Sequence, residues 1–474
     1  MPYHKPASFK SAQAFQDYLQ ASGIHLPFET DIEPAPYSPL AQPYALDGQT
    51  IGNRFAVLPM EGWDGTEDGH PSELTFRRWQ RFGLSGAKLI WGGEAAAVNP
   101  DWRANPNQLV ISPQTLPDLA RLCQALIDAH GDLYGETKDL LVGLQLTHSG
   151  RFSKPVKNNP PRLQLAYDHP WLNRRVGLPP ASGCVISDEE VDRVVEQFIS
   201  AAGLAQQAGF QFVDIKHCHG YLAHELLSAV DRPGRYGGSF ENRTRFLRQV
   251  VSGIQARFPS MGIGVRLSVY DFIPFSKGPD GVGIPDFNHP GHGYPCAFGG
   301  DGSGQDIDLS EPVALVNMLT QMGVRLVCIT AGSPYYTPHI QRPAYFPPSD
   351  GYLPPEDPLL GVVRLVNAAM QIKAACPAAV VVGSAYSCLQ EWLPNVAQAV
   401  IRTGAADFVG LGRMMLSYPQ MPADILAGLP LRRKLICRTF SNCTTAPRKG
   451  LVSGCFPLDA FYKGRPEASQ IKVG

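Results

Sequence analysis

Short runs that are apolar on both alternations recur through the middle of the chain, each followed by a segment with helical spacing. The first four are "RFAVLPM" from Arg54, "AKLIWGGE" from Ala87, "LLVGLQLTH" from Leu140 and "FVDIKH" from Phe212. Four more follow: "GIGVRLS" from Gly262, "RLVCIT" from Arg325, "AVVVGS" from Ala379 and "ADFVGLGR" from Ala406. A strand apolar on both faces is one covered on both faces, as parallel strands flanked by helices are. The intervening segments carry helix start and stop signals. In "SDEEVDRVVEQFISAAGLAQQAG", Ser187 is an N-cap with Glu190 three residues on, Val191, Val194, Val195, Phe198 and Ile199 form one stripe, and Gly209 is the stop. "SFENRTRFLRQVVSGIQARF" reads as one helix capped by Ser239, with Phe246, Leu247, Val250, Val251 and Ile254 inward; "SEPVALVNMLTQMG" ends at Gly323.

Eight such strand–helix units fit either a closed barrel or an open doubly wound sheet. An open nucleotide-binding sheet announces itself with G-x-G-x-x-G after its first strand, and "LPMEGWDG" does not match. The expected fold is therefore an α/β (β/α)8 TIM barrel over residues 51–430. Residues 1–50 form an N-terminal lead-in, with a short amphipathic helix that sets Phe9, Ala12, Phe15 and Leu19 in register before Gly23. Residues 431–474 form a C-terminal tail holding Cys437, Cys443 and Cys455. The Gly/Pro-rich stretch 274–309 after the fifth strand is long enough to be a lid or substrate loop.

Bulk properties narrow the functional classes. With 474 residues and 44% hydrophobic content the chain can bury a large core. A net charge of −1 and a pI near 6.9 point to neither a nucleic acid nor an anionic membrane as partner. The N-terminal "MPYHKPASFKSAQAFQDYLQ" lacks the apolar core of a secretory signal. The ten cysteines are scattered, some inside apolar runs, which suits reduced thiols in a cytoplasmic enzyme. Association into a homo-oligomer is left open.

In a barrel, chemistry belongs at the C-terminal ends of the strands. Glu61, Glu94, His148, the cluster "KHCHGY" from Lys216, and Arg266 stand at the ends of strands one to five, and Gly383 and Arg413 at seven and eight. Amides of Gly383, Ser384 and Gly412 with the Arg413 guanidinium would make a phosphate cradle; two ordinary turns and a surface arginine would look the same. Gln145, polar within an apolar strand, either pairs structurally or presents a donor and an acceptor to a planar amide-like edge. His217 and Cys218 raise a metal reading, but later strands offer no partner set, and no metal is expected.

With "HCHGYL" followed by "RYGGSFENRTRF", the chain resembles the Old Yellow Enzyme family of FMN-dependent NAD(P)H:flavin oxidoreductases. "IGNRFAVLPM", "LQLTHSGR", "GVRLS" and "ADFVGLGR" match in order, so the resemblance spans about residues 45–425. It implies bound FMN, with Pro59 and Met60 along the flavin, Ala95 lining it, Gln145 on its pyrimidine edge and Arg266 facing N1/O2. It also implies that Gly383, Ser384, Gly412 and Arg413 hold the phosphate. NADH or NADPH would reduce the flavin, and a small-molecule substrate with an activated C=C would then take the hydride while Tyr221 protonates it.

Three positions depart from that pattern. Where relatives carry a His-x-x-His or His-x-x-Asn pair, this chain has Lys216 and His219, which favours a more anionic, carboxylate-bearing substrate or an amine-oxidising variant. Glu61 replaces the usual small residue near flavin O4, and a contact with Lys216 across the flavin is expected. Larger relatives resembling 2,4-dienoyl-CoA reductase hold a [4Fe–4S] cluster after the barrel; here Phe440 stands where a fourth thiolate belongs, so no cluster is expected.

Overall fold

The computed structural model describes residues 3–286 and 293–471. Eight parallel strands close on themselves: β1 Phe55–Val57, β2 Leu89–Ile90, β3 Leu141–Thr147, β4 Phe212–Ile215, β5 Gly262–Ser268, β6 Leu326–Thr330, β7 Val380–Gly383 and β8 Phe408–Leu411. β2 pairs with both β1 and β3, and β8 returns to β1, so no barrel edge is left open. Each strand lies inside one of the apolar runs of the sequence, because each is buried on both faces. Leu58, Leu89, Trp91, Leu141, Phe212, Leu326, Cys328, Val380, Val382 and Phe408 fill the barrel. The alternate residues pack outward on the helices.

The helix ring comprises α1 Glu73–Gly83, α2 Leu116–Tyr134, α3 Asp188–Gln207, α4 Arg245–Arg257, α5 Ser310–Gln321, α6 Pro358–Ala375, α7 Leu393–Arg402 and α8 Met421–Leu426. α3 carries the expected capping box, Ser187 Oγ accepting from Glu190 N, and its stripe is buried. The Ser239 expectation is corrected: Ser239 caps only a turn of helix, Phe240–Arg243, and α4 starts anew after Thr244 with its inward face as read. The second run is also corrected. It breaks after Ile90 at Gly92 (φ 146°) and Gly93 (φ 50°), and resumes as Ala95–Ala97 paired to β3. A Cβ on Gly92 would lie 2.7 Å from Gln145 N, and one on Gly93 2.6 Å from the Trp79 ring. Only glycine lets the backbone turn in that space.

Before the barrel, a helix at Ala12–Ala21 starts from Ser11 and buries Phe15 and Leu19, while Phe9 lies ahead of it. Phe15 stacks on Trp392, whose indole N–H donates to Pro6 O at 2.9 Å, so the lead-in is fastened beside α7. A hairpin, Tyr44–Leu46 with Gln49–Ile51, brings Leu46 and Ile51 to the apolar cluster that fills the barrel. Part of the 274–309 stretch, residues 287–292, lies outside the described residues. Its start folds into a hairpin, Phe275–Lys277 with Gly283–Pro285, tied down by Arg175 to Asp286 at 2.6 Å. After the barrel, Arg438 forks onto Glu391 with two 2.6 Å bonds, holding the tail over the C-terminal strand ends. Among the described residues, no helix is long and apolar enough to cross a membrane.

Candidate active site

The C-terminal ends of the strands surround a cavity of about 230 Å³. Pro59, Met60, Glu61, Gln145, Lys216, His219, Tyr221, Arg266, Ser384, Gly412 and Arg413 line it, so eleven of the thirteen sequence-derived candidates share one space. The other two are not among the lining residues. Ala95 is buried in the short strand beside β3, and Gly383 is held within β7 with Tyr386 so close that a Cβ would lie 2.7 Å from its hydroxyl.

The floor is a polar lattice set in the strands. Asp214 Oδ2 accepts from Gln145 Nε2 at 2.6 Å and Oδ1 from Arg266 N at 2.6 Å. Burial raises the Asp214 carboxyl to about 6, against the lowering effect of those bonds. Gln145 thus commits one of its two amide N–H groups to Asp214 and lines the cavity, while Arg266 donates from Nη1 to Pro59 O at 3.3 Å and has a buried, unpartnered Nε.

Over this floor, Glu61 and Lys216 meet directly as an ion pair in which Lys216 is 3% and Glu61 16% exposed. Glu61 Oε2 also accepts from Tyr221 Oη and Trp63 Nε1, each at 3.0 Å. The Lys216 ammonium lies 4.0 Å from the Tyr221 ring centroid, and Tyr221 Oη is 3.0 Å from Tyr335 Oη. Burial, with Glu61 and Tyr335 adding to it, pushes the Tyr221 hydroxyl well above its ordinary value. His219 adopts φ 68°, and Ser333 Oγ donates to its carbonyl at 2.9 Å. Burial, then Arg266 and Lys216, drive its imidazole well below the usual value, so the ring is neutral at pH 7.

The loop bearing Glu61 has a buried ionic support that the sequence reading missed. Arg78 of α1 forks onto Asp64 at 2.5 and 2.8 Å and reaches Glu94 at 2.5 Å, and Glu94 Oε1 accepts from Gly62 N at 2.8 Å. Burial raises Glu94 to about 7 although Arg78 pulls it down. Neither His148 nor His217 reaches the cavity lining. His148 stacks on Trp102 and is lowered to about 3 by burial, and His217 faces Phe246 of α4. Among the described residues, no group of three His, Cys, Asp or Glu side chains is placed to hold a metal ion. In the tail, Phe440 packs against Phe346 at 5.2 Å, and Cys443 lines the cavity with Thr444 and Arg448.

A family model for the NADH:flavin oxidoreductase / NADH oxidase family matches residues 39–281, about half the chain and five of its eight strands. The chain belongs to this family. Among curated relatives of the flavin oxidoreductases, NADPH dehydrogenase of Bacillus subtilis (strain 168) is 29% identical over 239 residues, 49% of this chain and 64% of that protein. NADPH dehydrogenase of Geobacillus thermodenitrificans (strain NG80-2) is 26% identical over 392 residues, 81% of this chain and 92% of that one. The old yellow enzyme homologue from Zymomonas mobilis matches with a TM-score of 0.57 and 21% identity over 83% of this chain and 93% of that one. A 2-naphthoyl-CoA reductase complex matches at 0.65 and 18%, covering 91% of this chain but 57% of that one. These likenesses give the barrel.

The residues present fit FMN. At the β7–β8 end, Ala385 adopts φ 77° beside Ser384, and a Cβ on Gly412 would point at Met60 Sδ, 3.5 Å away. Two guanidiniums converge there, Arg413 buried and Arg342 half-buried. Arg413 donates to Pro343 O at 2.8 Å, Arg342 donates to Thr444 Oγ1, and Arg413 Nη1 and Arg342 Nε are both without partners. Burial and then Arg413 lower Arg342 to about 9, so Arg342 remains charged at pH 7. Orphaned donors on two like charges call for a dianion, and FMN carries one. Arg342 was not read from the sequence; it sits in the irregular 331–357 loop, where no strand-end rule points to it.

Proposed function

We propose that this chain is an FMN-dependent NAD(P)H oxidoreductase of ene-reductase type, transferring hydride to an activated C=C next to a carbonyl or carboxylate. The observation that carries the reading is Tyr221, a proton-bearing hydroxyl held into the same cavity as Gln145, Arg266 and the Arg342–Arg413 pair. Gln145 and Arg266 would hold the flavin ring, with Pro59 and Met60 against it, and Ser384, Gly412, Arg413 and Arg342 its phosphate. Bound FMN supplies the two-electron carrier that takes a hydride from a nicotinamide and yields it to the substrate.

The chain's own groups handle the substrate's oxygen and proton. The fixed positive charge of Arg266 beside Pro59 favours negative charge developing on the ring it faces. His219, neutral, and Tyr221 are the hydrogen-bonding groups on the substrate side. Lys216 is neutralised by Glu61, so the wall carries less net positive charge than the sequence suggested, which favours a carbonyl over a free carboxylate. Tyr221 keeps its proton up to alkaline pH and delivers it to the α-carbon. The names of the relatives, NADPH dehydrogenases, favour NADPH as reductant. A cytoplasmic location is part of the same reading.

A second reading has one observation of its own. The Glu61 carboxylate, already paired with Lys216, is ringed by Trp63, Tyr221 and Tyr335, whose aromatic faces suit an amine cation, and histamine dehydrogenase from Rhizobium sp. 4-9 shares the fold at a TM-score of 0.62. Anaerobic mixing decides between them. An ene-reductase is bleached by NADPH and recoloured by 2-cyclohexenone; an amine dehydrogenase is bleached by an alkylamine alone.

A further inference from the structure

Behind Tyr221 lies a second tyrosine for which the mechanism above has no use. Tyr335 Oη is 3.0 Å from Tyr221 Oη, and its ring stacks on Phe152 at 3.7 Å with an 8° angle, which fixes the hydroxyl's direction. Tyr221 donates to Glu61 Oε2, a carboxylate oxygen that only accepts. With the Tyr221 proton thus committed, the proton between the two phenols belongs to Tyr335, which donates to Tyr221. Tyr221 is 3% exposed, whereas Tyr335 is half-buried and lines the same cavity; burial and Glu61 raise the Tyr335 hydroxyl as well, so a negative charge passed to it does not rest there. The charged groups around the pair are Glu61, Lys216 and Arg448.

This arrangement answers a need that the ene-reductase reading creates. Each turnover removes the Tyr221 proton and leaves a phenolate in a buried site that strongly disfavours it. We propose, resting on that reading, that Tyr335 is the residue that reloads Tyr221. In the substrate step the Tyr221 O–H bond breaks, its electron pair stays on oxygen, and a C–H bond forms at the α-carbon. In the reload step the Tyr335 O–H bond breaks and the Tyr221 O–H bond re-forms, moving the negative charge to Tyr335, where solvent water protonates it. No oxidant or reductant enters. The Lys216 ammonium, fixed by Glu61 4.0 Å from the Tyr221 ring, steadies the charge while it is there.

Tyr335→Phe keeps the ring stack and removes only the relayed proton. The test compares the first reoxidation of pre-reduced holoenzyme by 2-cyclohexenone with steady-state turnover at saturating NADPH, both in H2O and in D2O. First reoxidation uses the proton already on Tyr221, whereas later cycles need the reload. The expected result is that Y335F lowers the ratio of steady-state to first-turnover rate by about tenfold. The steady-state solvent isotope effect rises with it, and added imidazolium, a diffusible acid, restores part of the lost rate. A ratio and an isotope effect equal to those of the unsubstituted enzyme, or an equal fall in both rates, would overturn the proposal. If the unsubstituted, NADPH-bleached enzyme is not reoxidised by the enone, the ene-reductase reading fails and the relay with it.

Discussion

Arg342 gives the sharpest test of how the cofactor end of the cavity works. It is half-buried, its Nε is buried without a partner, and among the described residues its side chain's one hydrogen bond is to the neutral hydroxyl of Thr444. Arg413 beside it carries a second positive charge with an unpartnered Nη1. Without an anion the pair repels; with a phosphate between them, each guanidinium gains charge-assisted bonds. Such a bond is worth about 1.5–3 kcal/mol, so Arg342→Gln should weaken FMN binding by roughly 10- to 100-fold. Riboflavin, which has the same ring and no phosphate, should bind the variant about as well as it binds the parent protein. The apoprotein should be no less stable, because a charge held unpaired beside the like charge of Arg413 has been removed. The assay is quenching of flavin fluorescence on titration of apoprotein with FMN and with riboflavin, together with thermal melting of the apo form. Equal losses for both ligands would mean that the substitution deforms the pocket, and no loss for FMN would mean that Arg342 holds no phosphate. Either result refutes the reasoning.

Other residues of the barrel carry consequences of their own. Tyr221→Phe should slow reoxidation of the reduced enzyme by 2-cyclohexenone about 100-fold or more while NADPH still bleaches it, as read by stopped-flow absorbance. Arg78→Met leaves Asp64 and Glu94 buried without their cation and should cost about 3–5 kcal/mol in urea denaturation; a cost below about 1 kcal/mol would show that the triad supports nothing. Asp214 has its carboxyl raised from 3.8 to about 6 in the folded state, so between those pH values the folded chain binds more protons than the unfolded one. Its contribution to stability is therefore greatest below pH 3.8 and declines as pH rises to about 6, a slope that Asp214→Asn should remove in denaturant melts taken across that range.

The barrel was legible in the sequence because every barrel strand is covered on both faces, so burial alone writes an apolar run. The strand-end rule then gathered most of the site, from Glu61 to Arg413, without reference to any contact. What it could not find came from irregular chain. Tyr335 and Arg342 lie in the 331–357 loop, and Thr444 and Arg448 on a tail helix, where no period ties a residue to a face. Gly92 and Gly93 broke the second strand through their own dihedrals, which an apolar pattern does not record. The Glu61–Lys216 pair was readable because two unusual charges, at the ends of β1 and β4 on opposite sides of the barrel mouth, had to find compensation. Glu94 was noticed as a strand-end acid, but its partner Arg78 looks like any other cation on an amphipathic helix.

In the proposed function the rim of the barrel closes on FMN and a nicotinamide reduces it there. The direct measurement is the visible absorbance spectrum of the purified protein, or of apoprotein reconstituted with FMN, during anaerobic titration with NADPH and NADH. The expected result is a flavin spectrum with about one FMN per chain that bleaches on addition of one of the nicotinamides. Protein that takes up no FMN, or that holds FMN and stays yellow with both reductants, would contradict it.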